Sequence, residues 1–126
     1  MLKVVPGWEL DVERGPDCLL VKVRKPRRRA GSAPRLAEVL WSVVEQHFTY
    51  RLVVELDQIK TLDDEILGQL LLLHDRVAER GGLMRICGLS PRNHRLLLQR
   101  QLEDRLVPYQ DRVEAVMASA MPRHPR

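Results

Sequence analysis

Aromatic residues are scarce in this chain of 126 residues, at 4% of the total. Such a low share argues against a nucleic-acid-binding surface built from rows of base-stacking rings. Cysteine is also rare, with only Cys18 and Cys87, which lie far apart in apolar segments. Because free cysteine is usually buried, we expect both to be reduced core residues of a cytoplasmic protein.

Long hydrophobic runs are missing as well. The longest uninterrupted leucine run, Leu70–Leu73, is far shorter than a membrane span. The segment Met1–Trp8 lacks the apolar core of a signal peptide. We therefore expect a cytoplasmic chain without membrane insertion. Its length predicts one domain over residues 1–126, with a core at about 8–117 and a frayed tail at 121–126.

Motifs for nucleotide binding and catalysis are absent. The chain has neither the glycine-rich P-loop pattern nor GxGxxG. The four histidines are scattered, and none has a second metal ligand three or four residues away. Ser32 and Ser90 lack the context of a nucleophilic serine. These absences favour a protein that is not an enzyme and that uses no cofactor and no metal.

Positive charge is concentrated in one predicted loop. The net charge is +4, and the loop contains Arg24, Lys25, Arg27, Arg28 and Arg29. Those five of the 21 Lys and Arg residues leave 16 against 17 Asp and Glu. The rest of the chain is therefore nearly neutral, unlike a nucleic-acid-binding domain that is basic throughout. The loop is either a solvated segment or an anion-binding site for an acidic partner or nucleic acid.

Hydrophobic periodicity predicts the order of the elements. Trp8–Glu13 and Cys18–Val23 have the period of half-buried strands, and the turn residues between them predict a β-hairpin. The later elements are a helix that opens at Ser32 or Pro34, a strand within Tyr50–Ile59, a helix over about Asp63–Arg80, a strand at Leu83–Cys87, a helix from Ser90, a short strand at Leu106–Tyr109 and a helix over about Asp111–Ala120. This order predicts an α/β fold. The predicted sheet is mixed and has four to five strands, of which the first two form the opening hairpin and the later ones are parallel. About four helices complete the fold.

A junction between strand and helix stands out in the middle of the chain. An apolar strand is followed by a short polar loop and then by Asp63, Asp64 and Glu65, which open a leucine-rich helix. Acids in a first helical turn stabilise the helix by about 0.3–1 kcal/mol each, and Thr61 with Asp64 fits a capping box. A surface that faces a partner is a compatible interpretation. Metal binding is disfavoured because three consecutive residues converge poorly on one ion.

Several segments of the chain, taken in their order along the sequence, resemble the segments of a known family. They are Glu55-Leu56, Asp63-Asp64-Glu65-Ile66-Leu67-Gly68, Gly81-Gly82, Leu83–Gly88 and Ser90-Pro91. Together they resemble the STAS domain, the fold of bacterial anti-sigma-factor antagonists, over about Trp8–Met117. The resemblance implies a STAS-like fold and a non-catalytic protein-interaction domain of a bacterial regulatory system. The partner it implies is an anti-sigma-factor kinase or a related ATPase, and a homodimer is a further option.

The resemblance also locates the site and its departure from the family. Partner contacts are implied at Asp57, Thr61, Asp63, Asp64, Glu65, Leu67 and Gly68. In phosphorylatable members a serine occupies the position of Asp64, so Asp64 is a degenerate phosphosite. A carboxylate cannot accept phosphate from a serine kinase, and it carries about −1 rather than the −1.5 to −2 of phosphoserine. We therefore expect no phosphorylation at the usual site. Two alternatives stay open, a STAS subunit of a lipid-transport ABC system and a nucleic-acid-binding domain that uses loop 24–29.

Overall fold

The computed structural model describes residues 2–5, 8–15, 17–24 and 36–120. Its elements are β1 (Leu2–Val5), β2 (Trp8–Arg14), β3 (Leu19–Arg24), α1 (Leu36–His47), β4 (Arg51–Glu55), α2 (Asp64–Glu79), β5 (Leu83–Cys87), α3 (Pro91–Gln99), β6 (Pro108–Tyr109) and α4 (Arg112–Ala120). The strands form one sheet in the order β1-β2-β3-β4-β5-β6. The first two pairings are antiparallel and the other three are parallel.

The predicted α/β class, with an opening hairpin and then parallel strands, is confirmed. The sheet has one strand more than predicted, because β1 pairs with β2 at the edge and turns the hairpin into a three-stranded antiparallel unit. The predicted frayed tail lies outside the described residues. So do Lys25, Arg27, Arg28 and Arg29 of the predicted anion-binding loop, of which only Arg24 is described.

One face of the sheet carries most of the apolar core. In β2, Trp8, Leu10 and Val12 are buried and alternate with partly exposed residues, which is the predicted period of two. Across the sheet, α1 and α2 cover this face with the apolar residues that recur at helical spacing. Leu40 of α1 and Leu70 of α2 are fully buried members of this core. The predicted apolar stripes of both helices are thereby confirmed.

The opposite face of the sheet is covered differently. Here α4 lies over a small cluster of Val53, Cys87 and Ala115. The guanidinium of Arg112 at the start of α4 donates to Glu13 at 2.6 Å and to Glu55 at 2.7 Å, and thus ties α4 to two strands. The middle of β4 is covered on both sides, since its apolar residues at 52–54 are at most 1% exposed.

The two ends of α2 have well-defined caps. The side chain of Asp63 accepts a hydrogen bond from the Ile66 N–H at 2.9 Å, so Asp63 is the N-cap. The predicted capping box from Thr61 is wrong, because the helix begins two residues later. At the other end, Gly81 has a φ of +73°. The amides of Gly81 and Gly82 donate to the carbonyls of residues 78 and 77, the pattern of a Schellman motif.

Candidate functional site

The loop between β4 and α2 is fixed from inside the protein by one asparagine. Asn93 is fully buried in the first turn of α3. Its Oδ1 accepts from the Leu62 N–H at 2.8 Å, and its Nδ2 donates to the Ile59 carbonyl at 2.9 Å. Ser90 caps α3 by accepting from the Asn93 N–H, as its sequence position predicts. Both hydrogen bonds of the side chain therefore hold loop backbone that no strand or helix would otherwise satisfy.

Sequence analysis missed this role of Asn93. A signal was present, because Asn93 and Leu97 are four residues apart and share the buried side of α3. A polar residue on the buried side of a helix requires a hydrogen-bonding partner. The partner was not identifiable from the sequence, since Leu62 lies 31 residues earlier in the chain.

The same loop is anchored by further contacts at the ends of β4 and β5. The Leu56 N–H donates to the Cys87 carbonyl at 2.9 Å. Gly88 follows with a φ of +76°, and a Cβ on it would lie 3.2 Å from the Cβ of Asp57. Leu56, Ile59 and Leu62 point into the core. The loop thus has a fixed backbone with an apolar inner side and a polar outer side.

The acid turn, which we define as Asp63–Glu65, lies on the outer side of this loop. Asp63 is used as the N-cap. Asp64 forms an ion pair with Arg100, the residue that caps the end of α3, at 2.7 Å. Glu65 is exposed and has no partner among the residues described. The carboxylate of Asp64 is therefore already in contact with an arginine of the same chain.

The remaining predicted site residues separate into exposed and buried ones. Asp57 is exposed and lies 3.5 Å from the Lys22 ammonium. Thr61 is half-buried, and Gly68 is exposed on the second turn of α2. Leu67, by contrast, is 3% exposed and belongs to the core, so its side chain does not reach the surface implied by the resemblance. The structure thus brings the predicted residues together around one junction, with Leu67 underneath it.

The exposed side of α2 continues away from the acid turn. Leu72 is 58% exposed, although it lies in the middle of the helix. It borders a shallow groove of about 320 Å³ between α1 and α2, which is also lined by Ala37, Glu38, Gln69, Asp75, Arg76 and Glu79. The groove thus carries one exposed leucine side chain with mostly polar residues around it.

Arg24 lies at the same edge of the sheet as the junction. Because β3 and β4 are parallel, with Lys22 opposite Glu55, the carboxyl ends of both strands meet there. Arg24 is the last residue of β3 and is half-buried. Arg24, the first residue of the predicted basic loop, therefore lies at the edge of the sheet from which the loop after β4 leaves.

Cys87, at the end of β5 beside the junction, is a buried free thiol. Burial raises the pKa of the Cys87 thiol to about 12, and the nearby Glu55 carboxylate adds to the shift. Cys87 is therefore a neutral core residue, and Cys18 is also buried and free. Within the described ranges, no group of three His, Cys, Asp or Glu side chains is placed to bind a metal ion. No helix in the same ranges has the length and apolar character to cross a membrane.

Comparisons with known proteins agree with this fold. An anti-sigma factor antagonist from Mycobacterium paratuberculosis superposes with a TM-score of 0.74 at 19% identity, over 89% of this chain and 93% of that chain. TM1081 from Thermotoga maritima gives 0.71 at 14% identity, over 84% of each chain. RsbS from Moorella thermoacetica, in a serine-to-glutamate variant, gives 0.67 at 17% identity, over 89% of this chain and 98% of that chain. At these identities the likeness shows a shared fold.

No curated protein sequence matches this chain significantly. The family model does match, since the STAS domain model aligns with residues 9–116. That range includes the junction, the acid turn, α2 and α3. This chain therefore belongs to the STAS domain family.

Proposed function

We propose that this chain is a non-catalytic protein-interaction domain of a bacterial regulatory system and that it acts in the cytoplasm like an anti-sigma-factor antagonist. Its interaction surface comprises Asp57, Thr61, the acid turn, Gly68 and Leu72. Membership of the STAS family and the fold shared with a named antagonist support this proposal. The partner would be an anti-sigma-factor kinase or a related ATPase.

One observation carries the proposal, the glycine at position 68. Glycine in a helix costs about 0.5–1 kcal/mol relative to alanine. Among the residues that the structure describes, a Cβ at Gly68 would meet no atom within 4 Å other than its chain neighbours and the backbone of its own helix, and Gly68 does not have a positive φ. Neither its backbone conformation nor packing against the described residues therefore requires glycine. A partner whose backbone approaches α2 closely would require it.

The exposed carboxylates support the same surface. Asp64 has its arginine partner inside the chain, whereas Glu65 is exposed and unpaired in the part of the chain that the structure describes. A carboxylate at position 64 supplies a permanent charge where phosphorylatable relatives supply a conditional one. The surface we propose is therefore always charged and is not switched by phosphorylation at this position.

A pull-down from an extract of the source organism tests the proposal, with the full chain as bait. We expect it to recover a histidine-kinase-like ATPase of the anti-sigma type, and Glu65→Gln to weaken that capture. Asp17→Asn is the matched control, because it removes the same charge from an exposed residue in the turn between β2 and β3, at the opposite end of the sheet. Capture that Asp17→Asn weakens as much as Glu65→Gln would contradict the surface proposed here.

The identity of the captured molecule separates the alternatives. A transporter ATPase would favour a STAS subunit of a lipid-transport ABC system. RNA or DNA, lost when Arg24, Lys25 and residues 27–29 become alanine, would favour nucleic-acid binding through the basic loop. Either result would replace the proposal of an anti-sigma-factor antagonist.

A further inference from the structure

A cavity of about 240 Å³, which we call the β5 cavity, lies between the second half of α2, the beginning of β5 and the segment around β6. Each of these three parts contributes a basic side chain to its lining: His74 from α2, Arg85 from β5 and Arg105 from the loop before β6. Among the residues that the structure describes, Asp104 is the only acid in this lining. The β5 cavity shares no residue with the interaction surface proposed above.

The side chain of Arg85 is held in place by Tyr109, which also lines the cavity. Its Nε donates a hydrogen bond to the Tyr109 hydroxyl oxygen at 3.2 Å. Its guanidinium carbon lies 5.7 Å from the centre of the Tyr109 ring, within the range of a cation–π contact. The fold therefore sets the orientation of this guanidinium before any ligand arrives.

The other two basic side chains are oriented by one carboxylate of α2. One Nη of Arg105 donates to both oxygens of Asp75, and Nδ1 of His74 lies 3.5 Å from the same carboxylate. This pairing uses one of the three guanidinium nitrogens of Arg105. The other two have no partner within the described ranges, so Arg105 keeps N–H groups that a ligand can use.

The balance of charge around the cavity depends on burial. Asp104 is exposed, so water and salt screen its carboxylate, and Arg105 is already paired with Asp75. Arg85 is half-buried, and its charge is screened less. Inside the cavity, oriented N–H donors on cations therefore dominate. Guanidinium groups match the oxygens of carboxylates and phosphates in geometry and charge.

Apolar side chains form another part of the lining. Leu83, Met84 and Val107 line the cavity together with the arginines, and Leu83 is 44% exposed. The volume is below the roughly 300–1,000 Å³ of sites for drug-sized ligands. The cavity therefore suits a ligand of few heavy atoms, with a charged end and a short apolar part.

We propose that the β5 cavity binds a small organic oxyanion, either a phosphate monoester or a carboxylate with a short carbon chain. Arg85 and Arg105 donate hydrogen bonds to the oxyanion, and Leu83 and Val107 contact the carbon chain. The site lies apart from the acid turn, so it does not depend on which protein the interaction surface binds. It is tested with the chain alone.

Amide NMR spectra of the labelled full chain, at constant pH and ionic strength, measure binding. The probes are butyl phosphate, butyrate and inorganic phosphate, which separate the two headgroups and the carbon chain. We expect saturable shifts at residues 83–85 and 104–109, with a dissociation constant of about 1 mM or less for butyl phosphate or butyrate. The tighter of these two identifies the headgroup. No saturable shift at these residues with any probe would overturn the proposal, and inorganic phosphate that binds as tightly as butyl phosphate would contradict the apolar contact.

Removal of either guanidinium should weaken binding. Arg85→Gln and Arg105→Gln should each raise the dissociation constant by at least about tenfold. Tyr109→Phe keeps the ring but removes the hydroxyl that holds Arg85, so it should weaken binding by less. Arg14→Gln is the matched control, because Arg14 is an exposed arginine at the end of β2 and outside the cavity. An equal loss in the control would show a general effect of net charge and overturn the site.

Asp104→Asn should have the opposite effect. It removes the carboxylate that repels an anion at the cavity, so the dissociation constant should fall. A disturbed fold does not tighten binding, so this variant separates the proposed chemistry from structural damage, and thermal melting checks every variant. Asp17→Asn is its control, as an exposed carboxylate outside the cavity, and should leave the affinity unchanged. Weaker binding by Asp104→Asn would contradict an anionic ligand.

Discussion

A Cβ on Gly82, just after α2, would lie 2.0 Å from the carbonyl oxygen of Tyr50, whereas a Cβ on Gly68, near the beginning of the same helix, would meet no neighbouring element. At the end of α2, glycine is required by contacts inside the chain. At the beginning, the inside of the chain requires no glycine, and the helix loses stability by having one. The comparison indicates that a helical glycine which no contact within the chain requires points to a contact with another molecule.

The two ends also differ in how their polar groups are satisfied. The end of α2 forms its Schellman hydrogen bonds within the helix and the two residues that follow it. The beginning depends on α3, since Asn93 holds the preceding loop and Arg100 pairs with Asp64. Changes in α3 should therefore reach the interaction surface, whereas changes at Gly81 and Gly82 should affect stability alone.

The largest effect should come from the end of α2. Gly82→Ala places a methyl group where the Tyr50 backbone lies, and backbone cannot move as a flexible side chain does. We expect a loss of at least about 3 kcal/mol in the free energy of unfolding, measured by urea denaturation. Gly81→Ala is the control for backbone conformation without a clash. A loss of under 1 kcal/mol for Gly82→Ala would show that β5 moves away from Tyr50 freely.

Asn93→Ala should have the next largest effect. It leaves the buried Leu62 N–H and Ile59 carbonyl without their partner, and each unsatisfied group costs about 1–3 kcal/mol. We expect a destabilisation of about 2–4 kcal/mol and faster hydrogen exchange at Leu62. Asn93→Asp keeps the acceptor for Leu62 and removes the donor to Ile59. It should therefore protect the Leu62 amide from exchange better than Asn93→Ala does. Equal exchange in both variants would contradict the hydrogen bond from the Leu62 N–H to the side chain of residue 93.

Gly68→Ala should raise the stability, whereas the two preceding variants lower it. The variant should be more stable by about 0.5–1 kcal/mol, because the methyl group meets open space and alanine favours a helix. If a partner backbone approaches Gly68, the same methyl group should weaken capture of the ATPase. Thermal melting and the pull-down measure the two effects separately. A more stable variant with unchanged capture would remove Gly68 from the interaction surface.

Much of the fold could be predicted from the sequence. The hairpin, the helices and the central strand follow from local periodicity, and Ser90 and Gly81-Gly82 are local cap signals. The start of α2 could not be fixed in this way, because Thr61 and Asp63 are both good N-caps. In the structure Asp63 is the N-cap, since its side chain accepts from the Ile66 N–H. The strand β1, Leu2–Val5, was not predicted.

The sequence could locate the site, but it could not show which of the site residues are buried, exposed or paired. Sequence order and the family resemblance both led to residues 57–68. The burial of Leu67, the openness around Gly68 and the Asp64–Arg100 pair depend on how α2 and α3 lie against the sheet.

Asp64→Ser should have a small effect on stability and a larger one on binding. The pair with Arg100 is exposed on both sides, at 72% and 54%, so its loss should cost under about 1 kcal/mol. Serine removes the permanent charge and restores the family's hydroxyl group. We expect partner affinity to change by at least about tenfold, or 1.4 kcal/mol. Mass spectrometry after incubation with a cognate kinase and ATP should find phosphate on this variant and none on the original chain, Thr61 included.

The smallest effect should come from the pair between α2 and the loop before β6. One nitrogen of Arg105 donates to both carboxylate oxygens of Asp75, at 2.7 and 2.8 Å, and this hydrogen bonding is the main cause that lowers the pKa of Asp75. A lowered pKa means that the folded state binds the proton less tightly than the unfolded state. The contribution of the pair is therefore present above the unfolded pKa of about 3.9 and is lost as the pH falls through the folded pKa. Because Asp75 is 58% exposed, that contribution should stay under about 1 kcal/mol.

Asp75→Asn should accordingly be slightly less stable than the original chain at pH 7, and the two stability curves should converge below about pH 4. Urea denaturation across this range measures the difference. Asp104→Asn is the control, since it removes an exposed carboxylate next to Arg105 that has no partner in the described part of the chain. A difference between Asp75→Asn and the original chain that stays constant down to pH 2 would show that the carboxylate acts through packing rather than charge.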